Sequence, residues 1–149
     1  KYAGASDMYF IGRGIDYAIS LEGSLKMKEI SYVHSEAYAA GEIKHGPISL
    51  IEKGTLVIGI ATQDSLYKKI RSNMVEVQTR GAVLYGITFE NNKSFDDISE
   101  FVSYIPDTNK YFTTSLAIIP LQLLSYYLSV AKGLNVDKPR NLAKSVTVE

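Results

Sequence analysis

Glu22, Lys26 and Glu29 stand four and three residues apart, the intervals that return a helix to one face. A carboxylate beside an ammonium in that arrangement is either a helix-surface ion pair, adding roughly 0.2 to 0.5 kcal/mol, or an acid/base unit for proton transfer. Its surroundings bear on the choice. Ala18, Leu21 and Leu25 flank the stripe on one side and Ile19 and Ile30 on the other. The three charges are therefore expected to run through an apolar face, with Asp16, Ser20, Ser24, Lys28 and Ser31 turned to solvent. Charge placed among apolar groups is costly unless paired, and active sites use such placement to tune proton affinity.

A second cluster is Gly41 to Pro47 (GEIKHGP), which sets His45 among two glycines and a proline. Histidine titrates near neutrality, so His45 is a candidate acid or base, although a loop histidine also serves as a surface or capping residue. His34 has less around it. His34, Glu36, Glu42 and His45 match no metal-ligand spacing, and no metal site is read from them.

The elements that must position these groups follow from punctuation and periodicity. Met8 to Gly12 is an apolar run ending in Gly-Arg-Gly, as where a buried strand turns into a helix, and Ile15 to Val33 reads as that helix. Thr55 to Ala61 and Ala82 to Thr88 are β-branched, apolar strands of the doubly covered kind. Ser65 to Arg80 is an amphipathic helix stopped by Gly81, Phe101 to Ile105 a shorter strand, and Thr113 to Lys132 a long helix closed by Gly133. This alternation predicts a three-layer α/β/α sandwich with a mostly parallel sheet. His34 to Leu50 and the tail Leu134 to Glu149 break the rhythm, as excursions that build sites do.

Composition narrows the function. The 149 residues, 46% of them hydrophobic, suit one compact domain with a short tail. Sixteen basic residues balance sixteen acidic ones, which argues against nucleic acid or a charged membrane surface as partner. The apolar stretch Ser115 to Val130 is interrupted by Gln122 and Ser125, carries Pro120 and reads as a core helix. The lack of cysteine excludes disulfides, thiolate zinc sites and a cysteine nucleophile, and it fits a reducing compartment such as the cytoplasm. The abrupt start at Lys1, with a strand almost at once, leads us to expect sequence upstream.

Three segments, LEGSLKMKE (21–29), EAYAAGEIKHGP (36–47) and PRNLAKSVTVE (139–149), closely resemble the end of the glutamine-fructose-6-phosphate aminotransferases, the glucosamine-6-phosphate synthase family. The resemblance runs from about Tyr9 to the last residue, and residues 62 to 112 add little beyond an α/β pattern. It implies that residues 1–133 are the second of two sugar-isomerase (SIS) domains, flavodoxin-like in fold, and that residues 134–149 are a tail contributing to the active site. It also implies ammonia released from glutamine, fructose 6-phosphate as substrate, glucosamine 6-phosphate as product and no dissociable cofactor. The partners implied are the first SIS domain, the glutaminase domain and a second subunit.

Residue by residue, the resemblance makes Glu29 the base that moves a proton between C1 and C2 of the sugar, with Lys26 and Glu22 in support. His45 would assist ring opening in the neighbouring subunit's site. Lys144 would approach the sugar carbonyl, and Ala143 would line the same pocket through its backbone. On residue type alone, Lys144 reads as a solvated charge near a chain end. The loop Gly12, Arg13, Gly14 lacks the hydroxyls with which such domains hold phosphate, so phosphate binding is expected from the first SIS domain; Arg13 is the group here that could bind an anion. Two other readings are a phosphosugar-sensing SIS module and a purely structural dimerisation half. A receiver-like domain is disfavoured, because the first strand ends without the acidic pair such a metal site requires.

Overall fold

The computed structural model of the chain describes residues 2–142. Five strands, β1 (Asp7–Gly12), β2 (His34–Ala39), β3 (Leu56–Ala61), β4 (Val83–Phe89) and β5 (Phe101–Ile105), form an all-parallel sheet in the order β2-β1-β3-β4-β5. Three helices cover it: α1 (Ile15–Ser31), α2 (Tyr67–Gln78) and α3 (Thr113–Ala131). Parallel strands need such crossovers, and coverage on both faces is why all six residues of β3 are buried.

Two cores follow from the alternation of side chains along the strands. Met8, Phe10, Leu56, Ile58, Ile60 and Ile87 meet Ile19 and Met27 of α1 and Ala117 and Leu121 of α3. On the other face Tyr9, Ile11, Val57 and Leu84 meet Ile70, Met74 and Val77 of α2, together with Ile43 and Phe95 from connecting segments. The architecture is the expected three-layer sandwich.

Three readings change. Residues 34–50 are not wholly an excursion, since the first six form β2, paired from Asp7↔His34 to Gly12↔Ala39. An edge strand with one neighbour tolerates the polar sequence HSEAYA, and its pairing with β1 supplies the order that its own pattern lacks. After it come two 3-10 turns, Ile43–His45 and Pro47–Leu50.

The second change concerns the faces of α1. Asp16, Ser20, Ser24 and Ser31 are buried rather than turned to solvent, while Leu21 and Leu25 are 47% and 43% exposed; of the expected outer residues, only Lys28 is exposed. The serines are buried because each hydroxyl is satisfied and each side chain is small. Ser20 Oγ donates to Asp16 O (2.8 Å), Ser31 Oγ to Met27 O (2.7 Å), and Ser24 Oγ to Ser35 O (2.9 Å). Small residues let α1 approach β2 and α3 closely, and at Gly23 even a methyl group would run into Leu121.

Thirdly, α3 is a core helix on one face only. Thr113, Ala117, Leu121, Ser125 and Leu128 are buried, whereas Leu123, Tyr127 and Val130 are exposed. Its 19 residues are long and apolar enough to cross a membrane by length and composition. In the fold it lies along α1, with Ser125 and Ser129 bonding back to Leu121 O and Ser125 O in the seam.

Candidate active site

Helix α1 leaves the carboxyl end of β1 through Gly12 and Gly14. A Cβ at Gly12 would collide with the backbone of Asp16, and Gly14 takes φ 56°, so this turn requires glycine at both positions. Asp16 then fastens the start of the helix to the end of β3. Its carboxylate accepts the Thr62 N–H (2.9 Å) and the Thr62 hydroxyl (2.5 Å). Burial pushes the Asp16 carboxyl up, and the Thr62 hydrogen bonds pull against that rise.

Arg13 is held in place at the carboxyl end of β1. Its Nη1 donates to Asn73 Oδ1 (2.8 Å), its guanidinium lies against Gly41, and Gln63 Nε2 donates to Arg13 O (2.6 Å). The crevice where the strand order reverses, between the ends of β1 and β3, is the usual ligand position in such sheets. Here Asp16, Gln63 and Arg13 tie it together from within.

The stripe lies toward the opposite end of the helix. Lys26 Nζ stands 2.7 Å from Glu29 Oε2 and 3.4 Å from Glu22 Oε1, so the expected triad forms. The side chains of Glu22, Lys26 and Glu29 are 44%, 31% and 27% exposed, which places them at the rim of the exposed Leu21 and Leu25 rather than inside an apolar face. The Glu29 hydrogen bond holds the Lys26 ammonium above the ordinary lysine range, against the opposing effect of burial. Lys26 therefore keeps its proton and stands between the two carboxylates as a cation.

Glu29 opens onto a groove of about 410 Å³ lined also by Tyr32, His34, Arg140 and Leu142. His34 Nδ1 is 2.8 Å from Asp7 Oδ1, and Nε2 is 3.8 Å from Glu36 Oε1. Tyr32 and Arg140 went unread in the sequence, where nothing links a helix cap to a residue 108 positions later. Ala143 and Lys144 lie outside the described residues.

His45 sits elsewhere. It follows β2 at the carboxyl end of the sheet, whereas Glu29 is near the end of α1, which returns the chain to the amino end, where Asp7 pairs with His34. His45 is exposed, and its backbone N–H bonds to Glu42 O (3.0 Å). One chain thus does not bring Glu29 and His45 together. Among the described residues no group of three or more His, Asp or Glu side chains is placed to hold a metal ion.

Residues 1–132 match the family model described as SIS domain. The chain is 64% identical over 143 residues to the glutamine–fructose-6-phosphate aminotransferase [isomerizing] of Clostridium tetani, a match covering 96% of this chain and 24% of that protein. Over 149 residues it is 54% identical to the protein of the same name from Caldanaerobacter subterraneus subsp. tengcongensis, covering 100% and 24%. The chain thus spans about a quarter of the length of these relatives. Among solved structures, the C-terminal domain of glucosamine-fructose-6-phosphate aminotransferase from Francisella tularensis superposes with a TM-score of 0.83 at 36% identity, covering 92% of this chain and 39% of that one. With its all-parallel sheet, its layered helices and a family match running through α3, the chain belongs to the SIS-domain family.

Proposed function

We propose that this chain is the C-terminal isomerase part of a glutamine–fructose-6-phosphate aminotransferase, which joins glutamine-derived ammonia to fructose 6-phosphate and isomerises the product to glucosamine 6-phosphate. The observation that carries the reading is the Glu22–Lys26–Glu29 triad, whose Glu29 lines a groove, in a chain 64% identical to a protein of that name. In this reading ammonia replaces the C2 carbonyl oxygen with loss of water. Glu29 then takes the proton from C1 while the imine nitrogen gains one, leaving an enediol-like enolamine, and returns the proton to C2 as the C1 hydroxyl gives one up and becomes the aldehyde. No net proton is gained or lost. Lys26 fixes the carboxylate in one rotamer through a charge-assisted bond, and Glu22 holds Lys26 from the other side.

His45 assists ring opening from a neighbouring subunit, a role that suits its exposure and its distance along the sheet from Glu29. Lys144 acts at the sugar carbonyl, and Ala143 lines the pocket through its backbone. The division into a SIS domain ending near Gly133 and a site-forming tail is part of the same proposal, as are homodimerisation, a glutaminase domain in the intact polypeptide and a cytoplasmic setting. The Gly12, Arg13, Gly14 loop has no hydroxyl, which supports a phosphate site supplied by another domain.

Subunit complementation tests this reading. Glu29→Gln and His45→Ala variants of the intact polypeptide, each inactive alone, should regain activity when mixed and reassembled, because one site of each hybrid dimer then has both groups intact. Inactive mixtures would place both residues in a single-chain site or in none.

A further inference from the structure

Helix α1 is capped by Tyr32 at φ 57°, ψ 20°. This left-handed conformation is unfavourable for a residue with a Cβ and is ordinarily given to glycine or asparagine. A tyrosine there brings contacts that glycine cannot make. The Arg140 guanidinium lies over the Tyr32 ring, 4.1 Å from its centroid, and the Arg140 N–H donates to Tyr32 Oη at 2.7 Å.

The path between α3 and this contact is pinned as well. Leu134 N–H bonds to Ser129 O (3.0 Å), and Asn135 Oδ1 accepts the N–H groups of Asp137 (3.0 Å) and Lys138 (3.1 Å). Beyond Arg140 the backbone reverses at Asn141, at φ 63°, and Asn141 and Leu142 enter the groove that holds Glu29.

We propose that Tyr32 is a positioning residue for residues 140–142, which line the Glu29 groove. Its stacking on the Arg140 side chain and its hydrogen bond to the Arg140 backbone form a two-point latch. The latch seats Asn141 and Leu142 in the groove beside Glu29. This inference rests on the role proposed above for Glu29.

The test compares wild type, Tyr32→Gly, Tyr32→Phe and Glu29→Gln in the intact polypeptide, by steady-state kinetics and by hydrogen exchange at the Arg140 amide. Glycine fits the left-handed cap, so Tyr32→Gly keeps the fold and removes the latch, whereas Tyr32→Phe keeps the ring and loses the acceptor. We expect exchange at Arg140 to quicken about tenfold in both variants. In Tyr32→Gly, kcat should fall about tenfold with KM nearly unchanged, in proportion to the lost population of seated segment, and Tyr32→Phe should lie between. A residue that served only to cap the helix would be replaced by glycine without loss. Unchanged exchange at Arg140, or wild-type kcat in Tyr32→Gly, overturns the proposal. Wild-type turnover in Glu29→Gln would instead refute the role of Glu29, and exchange at Arg140 would still decide whether Tyr32 holds the segment.

Discussion

A methyl group added at Gly23 tests how α1 is set against α3, and so where Glu29 stands relative to the segment that leaves α3. The new carbon would lie 2.5 Å from Leu121 Cδ1 and 3.3 Å from Leu121 Cβ and Cγ, where carbon atoms rest about 3.5 to 4.0 Å apart. Leu121 is fully buried, so relief requires an off-rotamer side chain or parted helices. Overpacking of this kind costs about 1 to 3 kcal/mol. The better helix propensity of alanine offsets about 0.5 to 1 kcal/mol. Gly23→Ala should therefore destabilise by up to about 2.5 kcal/mol, lowering Tm by up to about 10 °C. The assay is urea unfolding of Gly23→Ala, Leu121→Ala and the double variant. Leu121→Ala alone should cost about 2 to 5 kcal/mol. Once Leu121 is truncated, the methyl at 23 meets space instead of Cδ1, and Gly23→Ala should become neutral or stabilising. An equal cost in both backgrounds would refute the close crossing as the reason for glycine.

Two further predictions separate structure from chemistry. Lys26→Met breaks pairs that are about a third exposed, so stability should change by less than about 1 kcal/mol, while turnover falls at least about tenfold as Glu29 loses its 2.7 Å partner; small changes in both would return the stripe to a surface ion pair. Asp16 yields a pH dependence. Its folded value is raised above the ordinary 3.8, so between those two values the native state binds the proton more tightly than the unfolded chain. The stability it contributes is full below the unfolded value and is lost as pH rises through the folded one. Asp16→Asn removes that component, so the unfolding free energy of the variant should improve relative to wild type as pH rises from below the ordinary 3.8 through the raised folded value. A difference that does not vary with pH would contradict the buried carboxyl.

The parts of the fold legible in the sequence were those whose own residues settle them. β3 is apolar throughout and buried throughout, and Gly12, Gly14 and Gly81 mark turns that the backbone then makes. β2 was not legible, because its order comes from the β1 register rather than from HSEAYA itself. The length of α1 was readable and its buried face was not. Hydropathy assigns Ser20, Ser24 and Ser31 to solvent, whereas short hydroxyl side chains with internal acceptors are suited to a tight seam.

The same division runs through the site. Spacing alone was enough to pair Lys26 with Glu22 and Glu29, since helical geometry is local. The meeting of Tyr32 with Arg140 depends on a left-handed cap and on the path of the segment after α3, neither of which leaves a pattern in the sequence. His45 drew attention by residue type and loop context, yet it lies beyond the other end of β2 from Glu29. The proposed site therefore draws the two from different chains.

In the proposed reaction Glu29 is the base of the isomerisation, and Glu29→Gln in the intact polypeptide removes that base alone. The substitution keeps the shape of the side chain and removes its ability to take a proton. The measurement is the rate of glucosamine 6-phosphate formation from fructose 6-phosphate and glutamine, with glutamine hydrolysis followed in parallel. Sugar product should fall by about 10² to 10⁴, with glutamine hydrolysis retained. Glucosamine 6-phosphate formed at the wild-type rate would contradict that role.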